Sequence, residues 1–291
     1  MSAVVGRRVA LGMLGAGILG GGAALFAVQR ASGPAVGAVT ATPVAAVTPT
    51  PAPTPTPTLS PTAAPSPEPS TTPTPTSSAG PVLEKVPLPG GSITELPGEG
   101  NLLAWTVDDG SNGEVIRLYT EFAAATGTRL TYFLNGAYGG WADNAELLRP
   151  LVQSGQIQLG NHTFDHADLT SLSDSGVIDQ LQRNHDFIEA TYGVDARPYF
   201  RPPYGYHDDR VDALAASIGY TCPVLWYGSL SDSGLITPEQ VVGFAERWFL
   251  PQHIVIGHLN FLPVTEVFGR LGEIVAERGL QTVTLDDVFA K

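Results

Sequence analysis

Short apolar runs alternate with amphipathic stretches from about residue 100 to the end of the chain, and few folds accommodate this pattern. The stretches between the runs repeat apolar residues at helical spacing, as Val115, Leu118 and Phe122 do. Helix starts are predicted at Asp143, Ser173, Asp208 and Thr237. Strands that alternate with helices predict an α/β fold with a parallel sheet, either open or closed into a barrel. The predicted strands are residues 102–107, 130–134, 157–159, 198–200, 221–226, 253–256 and 282–285.

The N-terminal third of the chain has a different composition and predicts no packed core. Seventeen of the 25 prolines lie between Pro34 and Pro97, among many alanine, threonine and serine residues. Such a segment is expected to be an extended, disordered linker, which we assign to residues 31–95. This leaves residues 96–291 as the folded domain.

Residues 1–30 have the pattern of an export segment. Arg7 and Arg8 precede an uncharged stretch, residues 9–28, which is long enough to span a bilayer. A cleaved signal peptide and an uncleaved anchor both fit this pattern, and the sequence leaves both open. Either one predicts that the folded domain lies outside the cell, secreted or held at the cell-wall side of the membrane.

The charge and the cysteine content exclude some classes of function. The formal net charge of -13 argues against a nucleic-acid-binding protein, because such proteins present basic surfaces. The single cysteine, Cys222, excludes an intramolecular disulfide and a thiolate cluster. A metal site in this chain would therefore use histidine, aspartate and glutamate. The sequence does not indicate an oligomeric state.

Polar clusters follow four of the predicted strands directly, which is where chemistry is found in parallel α/β folds. Asp108 and Asp109 follow the first strand. His162 and His166, at i and i+4, follow the third strand with a spacing that suits a divalent metal. Together, the carboxylates and the two histidines favour a metal site with open coordination positions. Arg201 follows the fourth strand and His258 the sixth.

Four motifs in this order resemble those of the NodB-homology polysaccharide deacetylases, which are carbohydrate esterase family 4. The resemblance extends from about residue 100 to residue 291 and implies a distorted (β/α)7 barrel. It also implies removal of N-acetyl groups from GlcNAc-containing cell-wall or chitin-like polysaccharide. The motifs are residues 106–110 (TVDDG), 161–166 (NHTFDH), 201–205 (RPPYG) and 256–258 (IGH).

The resemblance implies a metal and a role for each of eight residues. Asp109, His162 and His166 would bind one divalent metal, typically zinc, although cobalt or another divalent ion also suits such a site. The other five residues would carry the reaction. Asp108 would be the general base, Arg201 would orient it, Asp232 would support Arg201, the backbone N–H of Tyr204 would stabilise the oxyanion, and His258 would be the general acid.

The family has a further motif between the third and the last of these, an aspartate followed by tryptophan. The sequence departs from the family pattern in that motif and in the last one, residues 256–258. Ser233 follows Asp232 where the family has tryptophan, and Ile256 replaces leucine. Because those two side chains wall the acetyl pocket in the family, two alternatives stay open. The chain could be an O-acetyl polysaccharide esterase of the same fold, or a catalytically impaired module that binds the cell wall.

Two aromatic residues in the glycine-rich segment after the second predicted strand allow two interpretations. Tyr138 and Trp141 would either stack on a sugar ring or shield the rim of the barrel. His207, Asp208 and Asp209 are interpreted as a helix cap followed by a solvated acidic turn, rather than as a second metal site.

Overall fold

A computed structural model describes residues 83–291. These residues form a curled parallel sheet covered by helices, which confirms the predicted α/β barrel-like class. The strands are β1 (Val86–Pro87), β2 (Leu102–Asp109), β3 (Leu130–Leu134), β4 (Ile157–Asn161), β5 (Tyr199–Phe200), β6 (Cys222–Pro223), β7 (Gly228–Ser229), β8 (Ile254–His258), β9 (Gln281–Thr282) and β10 (Phe289–Ala290).

The main sheet has the strand order β6-β5-β4-β3-β2-β8-β7, and its neighbouring strands are all parallel. Strand β9 pairs with the first residues of β2. The register aligns Asp108 of β2 with Phe133 of β3 and with His258 of β8. The carboxyl ends of the central strands therefore meet at one edge of the sheet.

Helices connect the strands, as parallel pairing requires. They are α1 (Gly113–Thr126), α2 (Gly140–Asp143), α3 (Ala145–Gln153), α4 (Asp174–Tyr192), α5 (Asp209–Ser217), α6 (Pro238–Trp248), α7 (Phe268–Glu277) and α8 (Leu285–Val288). Three single 3₁₀ segments complete the connections: Leu169–Ser171, Pro203–Gly205 and Leu262–Val267.

Helix starts follow the capping residues read from the sequence at three positions. Ser173 caps α4 and Asp208 caps α5, each through a side-chain oxygen that accepts a backbone N–H. Thr237 caps α6 in a capping box with Gln240. The fourth predicted start, at Asp143, is displaced: Asp143 ends α2, and α3 begins at Ala145.

The core lies on both faces of the central strands, which are buried along almost their whole length. Strand β2 buries every residue after Leu102, and β3 buries all five of its residues. Such two-sided burial explains why these strands read as near-continuous apolar runs rather than alternating ones. On the face toward α1 and α6, Trp105 packs against Tyr119 of α1 and Phe249 at the end of α6.

The seven predicted strands are all present, but the last one is shorter and displaced. The segment 282–285 contributes only Thr282 to β9, because Thr284 is the N-cap of the short helix α8 and its backbone N–H donates to Asp287 Oδ2 at 2.8 Å. Strand β7 was not predicted. It pairs only Gly228 and Ser229 with β8, which is too short for an apolar pattern.

The predicted linker boundary at residue 95 is too late. Val86 and Pro87 pair with the C-terminal residues Phe289 and Ala290 as β1 and β10. Ile93 is buried and exchanges backbone hydrogen bonds with Pro223 and Leu225. The domain therefore includes residues that composition alone assigned to the linker.

The predicted export segment, residues 1–30, and most of the predicted linker lie outside the described residues. Within the part of the chain that the structure describes, no helix combines the length and apolar composition needed to cross a bilayer.

Candidate active site

Polar side chains from five strand ends converge on one cavity of about 490 Å³ at the carboxyl edge of the sheet. They are carried by β2 and β8 and by the loops after β4, β5 and β7. The cavity lining includes Asp108, Asp109, His162, His166, Tyr204 and His258. The sequence motifs therefore meet in space as parallel strand ends predict.

Asp109, His162 and His166 form a cluster that fits a divalent metal ion. Asp109 Oδ1 lies 3.3 Å from Nε2 of His162 and 3.3 Å from Nε2 of His166. Ligands bonded at 2.0–2.1 Å to a tetrahedral ion are separated by about 3.3 Å, so these distances already suit zinc. Asp109 Oδ1 is buried and has no hydrogen-bond partner among the described residues, as expected of an atom that bonds a metal.

The ring of His162 is oriented so that Nε2 faces the cluster. Its Nδ1–H donates to the backbone carbonyl oxygen of Arg201 at 2.6 Å. A carbonyl oxygen can only accept, so this bond fixes the tautomer and leaves the Nε2 lone pair free. The same arrangement is typical of histidines that bind zinc.

The electrostatics of the cluster favour a positive charge. Burial alone lowers the pKa of His162, but Asp108 and Asp109 outweigh burial and raise this pKa above its ordinary value. Burial alone raises the pKa of Asp109, but the neighbouring His162 holds it well below its ordinary range. Two carboxylates that favour a proton on a histidine would equally favour a cation bound by that histidine.

Asp108 and Arg201 form a fully buried ion pair beside the cluster. Arg201 Nη1 donates to Asp108 Oδ1 at 2.6 Å and to Thr106 Oγ1 at 2.8 Å. Its Nε and Nη2 donate to the carbonyl oxygens of Val224 and Leu225, and its guanidinium lies over the ring of Phe133. Asp108 Oδ2 remains on the side of His162, 3.7 Å from Nε2.

His258 ends β8, the strand next to β2, where it pairs in register with Asp108. Its Nδ1–H donates to Asp232 Oδ1 at 2.9 Å, which leaves Nε2 free. Burial alone lowers the pKa of His258, but Asp232 outweighs burial and raises it above its ordinary value. The expectation that Asp232 supports Arg201 is therefore wrong. In the described structure Asp232 bonds to His258 instead, because it follows β7, the neighbour of β8.

Tyr204 and Trp226 form part of the cavity wall. Tyr204 lies in the 3₁₀ turn after β5 with a positive φ of 61°, and its exposed ring contacts His166 edge to face. Trp226 packs against Gly205, where a side chain would approach the indole to 3.3 Å. The cavity therefore has an aromatic wall at Trp226, although Ser233, which also lines it, replaces the tryptophan of the family motif.

Left-handed backbone conformations are concentrated at this edge of the sheet. Six described non-glycine residues have a positive φ, and five of them belong to the strand ends and loops around the cavity. Each costs about 1–2 kcal/mol relative to an ordinary conformation. Such cost is characteristic of functional sites. The five residues are Asp109, Thr163, His166, Tyr204 and Ser231.

Two residues near the cluster were not recognised as supporting groups from the sequence. Trp141 is fully buried and its Nε1–H donates to the backbone oxygen of Asp109 at 2.9 Å, so it does not stack on a sugar. Asn260 donates to the side chain of Asp109 at 2.6 Å. Neither contact follows from sequence spacing, since both cross between elements. Tyr138 is half-buried and lines the cavity.

The group at residues 207–209 lies outside the cavity lining and is explained by local structure. Asp208 caps α5 by accepting the N–H of Val211 at 2.8 Å. His207 bonds to Asp212 in the first turn of the same helix. These contacts account for both residues as a helix cap and a hydrogen bond to the same helix.

Residues 96–223 match the family model described as polysaccharide deacetylase. Chitin deacetylase 1 of Cryptococcus neoformans var. grubii is 34% identical over 134 residues, which cover 46% of this chain and 27% of that relative. The chain spans less than half the length of the first curated relatives it matches.

Solved structures show the same fold. A family 4 carbohydrate esterase from Streptomyces lividans, in complex with acetate, has a TM-score of 0.55 and 25% identity, covering 64% of this chain and 93% of that one. A family 4 carbohydrate esterase pseudoenzyme from Bacillus anthracis has a TM-score of 0.61 and 22% identity, covering 70% and 72%. Fold alone therefore does not decide activity. Residues 96–223 therefore match the polysaccharide deacetylase model, and the domain shares its fold with family 4 carbohydrate esterases, the family that its four motifs resemble.

Proposed function

We propose that this domain is a metal-dependent hydrolase that removes N-acetyl groups from GlcNAc-containing polysaccharide of the peptidoglycan or chitin type. The observation that carries the proposal is Asp109 Oδ1, a buried oxygen without a hydrogen-bond partner that faces Nε2 of His162 and of His166. The buried carboxylate of Asp108, which is paired with Arg201, lies beside it. The relative named chitin deacetylase supports this choice of substrate class.

The candidate metal ligands are Asp109, His162 and His166, and zinc is the ion that their donor set and spacing suit best. A divalent ion held there would supply Lewis-acid activation of the acetyl carbonyl and of the attacking water. The remaining steps fall to side chains and backbone groups of this chain.

Asp108 is the proposed general base. Arg201 occupies its Oδ1, so Oδ2, on the His162 side, is the atom available to take a proton from the attacking water. Arg201 also fixes the direction of the Asp108 carboxylate, because its Nη1 donates to Oδ1 within a buried pair.

His258 is the proposed general acid. Its Nδ1–H is held by Asp232, so Nε2 is the atom that would protonate the leaving nitrogen as the C–N bond breaks. The raised pKa of His258 favours the protonated form that this step needs. The backbone N–H of Tyr204, on the cavity wall, is proposed to stabilise the oxyanion.

Acetate release by the full chain tests the proposal. The protein would be treated with a chelator, and zinc or cobalt would be restored. The substrates would be GlcNAc oligomers, peptidoglycan and O-acetylated xylan. We expect metal-dependent release from the GlcNAc substrates, lost in Asp108→Asn and in His166→Ala. His207→Ala is the matched control, because that histidine bonds to Asp212 outside the cavity lining and should leave the rate unchanged.

The same experiment separates the alternatives. Release from acetylated xylan alone would favour an O-acetyl esterase. Glycan binding with no release from any substrate, even with metal bound, would favour an impaired wall-binding module. The replacement of the motif tryptophan by Ser233 makes the second alternative worth testing.

We further propose that the domain acts outside the cell, carried by residues 1–30 as a signal peptide or anchor and by the proline-rich segment as a spacer. Fractionation of cells with an antibody to the domain would test this. Protein found only in the cytoplasm would contradict the proposal.

A further inference from the structure

The two oxygens of the Asp109 carboxylate have different surroundings. Oδ1 faces Nε2 of both His162 and His166 at 3.3 Å. Oδ2 accepts a hydrogen bond from Asn260 Nδ2 at 2.6 Å. The carboxylate is therefore held so that one oxygen is free for a metal ion and the other is already occupied by an amide.

The direction of the Asn260 amide is fixed by Ser111. Asn260 Oδ1 lies 3.2 Å from the backbone N of Ser111 and 2.7 Å from its Oγ. A backbone N–H can only donate, so the side of Asn260 that faces it must be the carbonyl oxygen. The NH₂ group is then directed at Asp109, and an inverted amide would place two acceptors against each other.

The loops that carry these side chains are also joined by their backbones. The N–H of Asn112 donates to the carbonyl oxygen of Leu259 at 3.2 Å, and the N–H of Leu259 donates to that of Asp108 at 2.9 Å. The end of β2 and the end of β8 therefore stay together without the Asn260 side chain. Its contribution is specific to the orientation of the carboxylate.

We propose that Asn260 is a positioning residue for the metal site, which selects the oxygen of Asp109 that faces the ion. The inference rests on the proposed function, because it assumes that Asp109 binds a metal. Asn260→Asp is the decisive variant. It keeps the shape of the side chain and its bonds from Ser111, but it replaces the donor to Asp109 by a second carboxylate oxygen.

Zinc affinity of the full chain, measured by competition with a chromophoric chelator, tests the role. We expect Asn260→Ala, which removes the donor without adding a charge, to weaken zinc binding by about 10-fold to 100-fold, the range found when a group supporting a metal ligand is removed. Ser111→Ala removes the hydroxyl but keeps the Ser111 backbone N–H that donates to Asn260, so it should weaken zinc binding less. Asn101→Ala removes an exposed amide that bonds to Gly279, away from the cavity, and should leave affinity unchanged.

A second readout separates positioning from general damage. The visible absorption of the cobalt-loaded protein should change in Asn260→Asp, while the melting temperature of the metal-free protein should match that of Asn101→Ala. Zinc affinity and cobalt spectra equal to those of the unaltered protein would overturn the role of Asn260 alone. Failure of the unaltered protein to bind zinc or cobalt would overturn the metal site and this role with it.

Discussion

At the residue scale, the contact between His258 and Asp232 is expected to set the alkaline limit of activity. His258 must be protonated to act as an acid, and Asp232 raises its pKa above the ordinary value. Asp232→Asn removes the charge that favours protonation, so the pKa of His258 falls. The alkaline limb of the profile of kcat/KM against pH should therefore move to lower pH, and kcat should fall roughly 10-fold to 100-fold.

Asp212→Asn provides the comparison for that measurement, since Asp212 holds His207 by the same kind of contact outside the cavity lining. It should leave the profile unchanged. If Asp232→Asn shifts the alkaline limb no further than this control does, His258 is not the acid that the limb reports.

Arg201 is expected to matter for stability as well as for the reaction. Arg201→Ala leaves Asp108 as a buried charge without its partner and removes the donor from two carbonyl oxygens. The loss should be about 3–5 kcal/mol in the free energy of unfolding, measured by urea denaturation. Arg117→Ala, which removes an exposed pair with Glu114, should lower the free energy of unfolding far less, because solvent screens that pair.

The candidate ligands could be predicted because each belongs to a local pattern. Asp109 ends an apolar strand, and His162 and His166 are four residues apart in the sequence. The supporting contacts could not be predicted. Asn260 reaches Asp109 across 151 positions, and this contact depends on β2 and β8 being neighbours. Asp232 was assigned the wrong partner for the same reason.

At the element scale, the register of β3 against β4 places the aromatic ring on which Arg201 packs. Phe133 pairs with Gly160, and a Cβ at position 160 would collide with the Phe133 ring. That ring lies under the Arg201 guanidinium, 4.2 Å from it. Gly160 therefore leaves the space that the Phe133 ring needs to pack against the Arg201 guanidinium.

Gly160→Ala should accordingly reduce both stability and activity. Overpacking of this kind costs about 1–3 kcal/mol in the free energy of unfolding. Because the displaced ring would move Arg201, kcat should fall too, which acetate release would measure. Gly243→Ala, on α6 with open space around it, should change neither by a comparable amount. A stability loss with an unchanged kcat would break the proposed link between Phe133 and Arg201.

Element boundaries were predictable where one side chain determines them. Ser173, Asp208 and Thr237 each accept a backbone N–H at a helix start, so the residue type itself carries the information. The strand predicted at 282–285 is shorter and displaced because Thr284, with Asp287 three residues later, starts a helix there. Strand β9 has only two residues, Gln281 and Thr282, which is too short for an alternating pattern to show in the sequence.

At the scale of the whole domain, the segment before residue 96 is expected to contribute to folding. Ile93 is buried and its backbone bonds to Pro223 of β6 and to Leu225, and β1 pairs with β10. A chain that starts at residue 96 should be less stable than one that starts at residue 83, by about 1.5–3 kcal/mol for the lost burial of Ile93 alone. Equal urea midpoints and slopes would show that the segment adds nothing.

The architecture followed from the alternation of strands and helices, but the strand order did not. Sequence patterns give the sense of the sheet, since short strands linked through helices must be parallel. They do not state that β2 lies between β3 and β8. That neighbour relation places Asp108 beside His258, and it arises from packing of the entire chain.

Arg201 has two attachments whose combination has a mechanical consequence. Its side chain holds Asp108, and its own carbonyl oxygen holds His162. A thermal displacement of this strand end would carry the proposed base and one proposed ligand in the same direction. The distance between Asp108 and His162 should therefore change little when the sheet fluctuates. The relative position of these two groups would then depend more on the conformation of Arg201 than on the rigidity of the surrounding barrel.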